Sequence, residues 1–388
     1  MNDSYLMPTY KPSAVRFVSG RGAMLVDSEG REYIDLVAGL AVASVGHAHP
    51  RVAEAIAKQA AKLVHVSNLF ETGPQEELAT RLADLTSGMK SFFCNSGAEA
   101  VEAALKLARK HARINGRDAT RFVCATDGFH GRTFGALSAT GQPAKRAPFA
   151  PLVEGFTHVP YGDIPALAQA IDDDVAAVLL EPIQGEAGVI VPPHGYLSAA
   201  RALCDGVGAL LILDEVQTGL GRTGAWFAHQ HEGIDPDVMC LAKALAGGLP
   251  MGACLARPEV ASSFVPGDHA STFGGGPVQS AAALATLDVI ETDGLVYRAL
   301  VTGRRLMSDL ANMWPGAEVR GRGLLVAVEF SSDVATEIVE RALEAGLVLN
   351  ATSPNTLRFA PPLVITNEQL DDALATLEEV ADAVLTTT

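Results

Sequence analysis

The stretch Ala209-Leu210-Leu211-Ile212-Leu213-Asp214-Glu215-Val216-Gln217-Thr218-Gly219 decides the fold. Its five leading apolar residues leave no polar face, as in a strand covered on both sides, and a pair of acids arrives where that strand ends. Four similar runs, 92–94, 122–125, 175–180 and 238–241, alternate with helical segments between about residues 92 and 256. Short buried strands separated by helices predict an α/β fold with a mostly parallel sheet. The clearest helix spans 99–110, where Val101, Leu105 and Ala108 share a face, and Ser96 to Glu99 forms a capping-box pattern just before it.

Outward from this core, two apolar runs within 22–36 flank Asp27-Ser28-Glu29-Gly30 and predict an N-terminal hairpin. Beyond Pro277 the pattern changes to an alanine-rich helix to about residue 290, a strand at 325–330, a helix at 334–345, strands at 347–349 and 357–359 and a final helix. That tail reads as a separate α+β lobe. The expected organisation is residues 1–50 as a segment joining the small domain, 51–285 as the large domain and 286–388 as the C-terminal small domain.

Lys and Arg total 29 against 45 Asp and Glu, a net charge of −16, which disfavours nucleic acid and anionic lipid as partners. The uncharged stretch 270–287 has the length of a membrane span, but its Ser, Thr, Gly, Pro and Gln residues make it a loop entering a helix. No export signal opens the chain, and Cys94, Cys124, Cys204, Cys240 and Cys254 are odd in number and widely spaced. They read as buried free thiols of a cytoplasmic protein.

Of eight lysines, Lys58/Lys62 and Lys106/Lys110 are ordinary i,i+4 helix pairs, whereas Lys243 follows a strand and opens a stretch without charge until Arg257. Burial there lowers an amine's pKa and makes it a nucleophile or Schiff-base former; the alternative is an amine that snorkels to water. Asp214, at a strand's C-terminal end, sits where open parallel sheets bind ligands. It suits a metal, a general base, a cationic ring nitrogen or a plain helix cap. Ser96, Gly97 and Ala98 form a small-residue turn at a helix N-terminus, a place for phosphate. Phe129 and Arg132 share the loop Gly128-Phe129-His130-Gly131-Arg132-Thr133, and Arg358 is a charge inside an apolar strand. Each arginine suits either a carboxylate ligand or a structural ion pair. His47 and His49 lack a third ligand at a familiar spacing, so no metal is expected.

In combination, these segments resemble the class III aminotransferases that use pyridoxal 5'-phosphate. The resemblance runs in order through Gly46-His47-Ala48-His49-Pro50, the turn at 93–100, the loop at 128–133, Glu181-Pro182-Ile183-Gln184-Gly185-Glu186, the stretch at 214–219, Gly221-Arg222-Thr223-Gly224, Lys243, Ser271-Thr272-Phe273-Gly274-Gly275 and the strand around Arg358. It departs from the family's usual residues at Val101, Ala270 and Gly276. The resemblance implies fold type I and a homodimer. Lys243 is then the lysine that carries the cofactor and moves the proton, and Asp214 the partner of its ring nitrogen. Ser96, Gly97 and Ala98 hold the phosphate, joined by Thr272 from the other subunit. Phe129 stacks on the ring and Gln217 lies beside its oxygen. Arg132 and Arg358 clamp substrate carboxylates, Ser271 lies with the substrate residues, and Glu186 masks Arg358 when an ω-amine is bound.

The implied reaction moves the terminal amino group of N2-acetylornithine to 2-oxoglutarate, giving N-acetylglutamate 5-semialdehyde and glutamate in arginine biosynthesis. Its alternatives are the ω-aminotransferases of succinylornithine, ornithine, succinyldiaminopimelate or 4-aminobutyrate. An aminomutase, which needs no co-substrate clamp at Arg358, and a non-enzymatic binding protein on the same scaffold are more distant rivals.

Overall fold

A computed structural model describes residues 5–11, 13 and 15–386. Its strands are β1 (Phe17–Arg21), β2 (Met24–Asp27), β3 (Glu32–Asp35), β4 (Lys90–Cys94), β5 (Arg121–Ala125), β6 (Phe156–Val159), β7 (Val175–Leu180), β8 (Leu210–Asp214), β9 (Val238–Leu241), β10 (Gly252–Ala256), β11 (Glu318–Arg322), β12 (Leu325–Glu329), β13 (Leu347–Val348), β14 (Asn350–Ser353) and β15 (Thr356–Phe359). The central sheet has seven strands in the order β4-β10-β9-β8-β7-β5-β6. Strands β6, β5, β7, β8 and β9 are parallel, and β10 runs antiparallel to both β9 and β4. All five strands expected in this region are present.

The side chains of β7 and β8 show why this is a buried sheet. Ala177, Leu179, Leu210 and Ile212 pack under the helix Gly97–Ile114, while Val178, Leu180, Leu211 and Leu213 face the helix Tyr196–Val207 on the other side. Alternate residues thus enter two cores, and neither face tolerates a polar residue. Ala100, Ala103, Ala104 and Ala108 line the buried side of the helix Gly97–Ile114 and let it approach the strands closely. Strand β10 had no helical crossover to announce it. Only about ten residues separate it from β9, too few for a parallel return, so it folds back antiparallel.

The expected hairpin is the β2–β3 pair, and β1 extends it. β13 lies parallel to β3, which ties the N-terminal segment to the C-terminal third of the chain. A third sheet, β11-β12-β15-β14, is flanked by the helices Leu295–Met313, Ala335–Glu344 and Asn367–Leu385. The first of those helices was not anticipated from the sequence. The helix Pro277–Thr292 continues unbroken through the expected boundary at 285/286 and packs on the helices Pro50–Ala60 and Gly73–Leu85. Among the described residues, no helix is long and apolar enough to cross a membrane. All five cysteines are buried free thiols.

Candidate active site

Every parallel strand delivers its next residues to the same edge of the sheet, and a cavity of about 430 Å³ opens there. β4 leads into Asn95 to Ala98, β5 into the Phe129 loop, β7 into Glu181 and Glu186, β8 into Asp214 and Gln217, and β9 into Lys243. Side chains more than a hundred residues apart therefore converge because they share strand direction, not sequence proximity.

At one end, Ser96 caps the helix Gly97–Ile114 by accepting from the Glu99 N–H at 3.2 Å, and the Glu99 carboxylate accepts from the Asn95 N–H. The first N–H groups of that helix have no partner within it and point out of its positive end. A Cβ at Gly97 sits 3.0 Å from both methyls of Val216, so the turn passes close behind the cavity floor. At the other end, His130 Nδ1 lies 2.9 Å from Asp214 Oδ2, and a carboxylate only accepts, so that nitrogen carries the proton. The Val216 N–H donates to Asp214 Oδ1 at 3.1 Å. Burial opposes a charge on His130, but the hydrogen bond and proximity to Asp214, with Glu181 nearby, outweigh it and raise its pKa. His130 Nε2 is buried without a partner.

Lys243 has φ +44°, a left-handed conformation that costs an L-residue about 1 to 2 kcal/mol. The turn Lys243–Ala246 holds it there, between the buried β9 and the buried Ala244, Leu245 and Ala246. Burial lowers its pKa, with Glu186 opposing and Arg358 reinforcing the shift. Arg358 is only 2% exposed. Its NH1 donates to Glu186 Oε1 at 2.6 Å and to Gly185 O at 3.2 Å, and its Nε donates to Asn350 Oδ1 at 2.9 Å. Gln217 bridges the pair, accepting from Arg358 and donating to Glu186, each at 3.4 Å.

The chain belongs to the class III aminotransferase family. The family model described as Aminotransferase class-III matches residues 5–381. The chain is 52% identical over 382 residues to an acetylornithine aminotransferase of Mycobacterium tuberculosis (strain ATCC 25618 / H37Rv), covering 97% of this chain and 94% of the relative. Among solved structures it resembles the ornithine aminotransferase of Toxoplasma gondii ME49, with a TM-score of 0.95, 37% identity and coverage of 99% and 94%. It also resembles an acetylornithine aminotransferase of Elizabethkingia anophelis, with a TM-score of 0.87, 35% identity and coverage of 98% and 96%.

Class III aminotransferases use pyridoxal phosphate, and the cavity suits that group. It joins a helix N-terminus, an aromatic face, an acid backed by a buried histidine and a lysine of lowered pKa. Of the residues expected from the sequence, Ser96, Gly97, Ala98, Phe129, Arg132, Glu186, Asp214, Gln217 and Lys243 line this cavity. Arg358 stands behind Glu186, outside the lining. Ser271 accepts from Asn95 Nδ2 at 3.2 Å, while Thr272 is exposed at a separate hollow beside Phe273. One chain does not bring Thr272 to the cavity. Two titratable lining residues lie outside the expected set: His130, legible as the one polar ring beside Phe129, and Glu181, which opens the segment that ends at Glu186.

Proposed function

We propose that this enzyme transfers the terminal amino group of N2-acetylornithine to 2-oxoglutarate, a step of arginine biosynthesis. The observation that carries the reading is the Glu186–Arg358 pair, closed at 2.6 Å beside Lys243. An ω-amine brings no carboxylate to the reacting end, so an uncovered arginine there is left unpaired; Glu186 covers it. Glutamate and 2-oxoglutarate do bring one, and they take Arg358 once Glu186 swings away. Arg132, exposed at the mouth, receives the carboxylate at the far end of either substrate. The acetylated donor agrees with the acetylornithine aminotransferase named above at 52% identity. Free ornithine is the second reading, favoured by the TM-score of 0.95 to an ornithine aminotransferase.

When bound, pyridoxal phosphate supplies an aldehyde that condenses with amines and a ring that withdraws electrons from the carbon bearing the amine. The chain's own residues divide the remaining work. Lys243, its pKa lowered by burial, holds the cofactor and then moves a proton to and from the reacting carbon. Asp214, oriented by His130, would pair with the ring nitrogen and keep it protonated. Gly97 and Ala98 with the Ser96 hydroxyl would hold the phosphate, and Phe129 and Gln217, which line the same cavity, would hold the ring and its oxygen. Thr272 serves the neighbouring subunit's site in a homodimer, in keeping with the exposed Leu69, Phe70 and Phe273 around it, while Ser271, bonded to Asn95, lies with the substrate residues. Sedimentation velocity checks that assembly. The enzyme works in the cytoplasm, in keeping with its five free thiols.

The experiment is a pair of single-turnover measurements on two variants. Glu186→Gln slows the acetylornithine half-reaction more than the glutamate half-reaction, by about 5- to 150-fold in their ratio. Arg358→Ala moves the ratio the opposite way, because glutamate loses a clamp that acetylornithine never used. Shifts in the same direction, or none, defeat the gated pocket.

A further inference from the structure

Phe129 has two cations at its ring. Arg132 Cζ lies 5.6 Å and Lys145 Nζ 5.0 Å from the ring centroid. The aromatic face offsets part of their mutual repulsion. Among the described residues, neither takes part in a salt bridge and neither side chain has a hydrogen-bond partner, although the protein carries a net charge of −16. Lys145 is half-buried on the short helix Pro143–Arg146, directly after the segment that follows the Phe129 loop. Burial lowers its pKa, and the charges that act on it, in order, are Glu186, Arg132, Glu181 and Arg358. All four belong to the cavity or to its gate, and Phe129, whose ring centroid is 5.0 Å from the Lys145 amine, lines the cavity, so Lys145 stands just behind the lining at this edge of the site. Two unpaired cations beside one ring lack a counter-charge, and the group that reaches this place in the reaction is the carboxylate at the far end of the substrate.

The charge at that end differs between donors. In N2-acetylornithine the α-carbon carries a carboxylate and a neutral amide, a net charge of −1 by chemistry alone. In free ornithine an ammonium cancels the carboxylate. A single guanidinium can grip the carboxylate edge and leave the ammonium pointing away. A second cation at the same ring, 5.0 Å from its centroid, adds attraction for an end of net charge −1 and repels the ammonium. We propose that Lys145 is a specificity-determining residue: with Arg132 it forms a two-cation receptor at Phe129 that takes the α-carboxylate of an acylated donor and disfavours one with a free α-ammonium. The proposal rests on the acetylornithine reading above.

The test is the ratio of kcat/KM for acetylornithine to that for ornithine in the holoenzyme, measured in the wild type and in Lys145→Met, Lys145→Gln and Lys145→Arg. Both neutral variants lower the ratio by about 5- to 30-fold, chiefly through a higher KM for acetylornithine, and Lys145→Arg keeps most of it. Ornithine serves as the internal control, since general damage to the fold slows both donors and leaves the ratio alone. A ratio unchanged in the neutral variants, or one lost equally in Lys145→Arg, overturns the proposal while the acetylornithine reading stands. A wild-type enzyme that does not prefer acetylornithine overturns that reading and the proposal with it.

Discussion

Glu181 and Glu186 lie on one segment after β7, yet the fold drives their carboxyls in opposite directions. Burial pushes Glu181 up to about 7, because His130 and the N–H groups of Phe129 and Gly185 only partly offset its loss of water. Burial also acts upward on Glu186, but Arg358 overrides it and leaves the carboxyl below its usual value. A raised acid favours the protonated folded state, so Glu181's contribution to stability is greatest below the ordinary value of 4.5 and is lost as pH rises to about 7. In Glu181→Gln that decline disappears, and the stability of wild type relative to variant falls by on the order of 1 to 3 kcal/mol across this window. Urea melts of both proteins between pH 5 and 8 measure it; parallel profiles contradict the assignment. The motif around Glu186 was readable in sequence, but the sign of each shift was not. It depends on Arg358, which arrives from β15 more than 170 residues later.

At the scale of elements, β9 and β10 carry the clearest consequence. Cys240 and Cys254 are direct partners across this antiparallel pair, and Cys94 lies on the next strand. All three sit in the core beneath the helix Gly97–Ile114. Burial pushes the Cys94 and Cys204 thiols up to about 12 and moves Cys124 upward, and the Cys254 contact and burial do the same for Cys240. The thiolate is the reactive form, so proximity alone does not make this cluster redox-active. Ellman's reagent therefore finds no fast thiol in the native enzyme and all five after denaturation. A rapidly reacting native thiol contradicts the burial. The apolar settings of these cysteines were legible in the sequence. Their pairing was not, because the short link into β10 looked like a continuation of the Lys243 loop.

Arg222 acts at the scale of the whole molecule. It is 1% exposed, and no carboxylate pairs with it among the described residues. Its guanidinium donates instead to Leu324 O at 3.0 Å, Pro361 O at 2.6 Å and Ser44 Oγ at 2.9 Å. One side chain thus joins the loop after β8, the turn before β12, the segment after β15 and the N-terminal region. Burial lowers its pKa to about 9. Arg222→Met fills the space of the stem but removes the donor to the Leu324 and Pro361 carbonyls, while Ser44 Oγ keeps its bond to Ala41 O, and it destabilises the protein by about 2 to 5 kcal/mol. Urea unfolding measures the loss, and a change under 1 kcal/mol shows that water replaces the guanidinium.

Local sequence specifies the strand-and-helix alternation, the parallel sense of most of the sheet and the residues at its C-terminal edge. These follow from local properties: continuous apolar runs, helix caps and turn residues are written within a few positions of one another. It also determined that Lys243 differs from the other seven lysines, through the length of uncharged chain around it. Tertiary structure alone decided that Arg358 is closed onto Glu186 with Gln217 between them, that His130 stands behind Asp214, and that Lys145 joins Arg132 at Phe129. Each of these depends on the position of a charge relative to groups from other strands. Electrostatic energy falls with distance in space, and distance in space is set by the packed sheet rather than by neighbours in the chain.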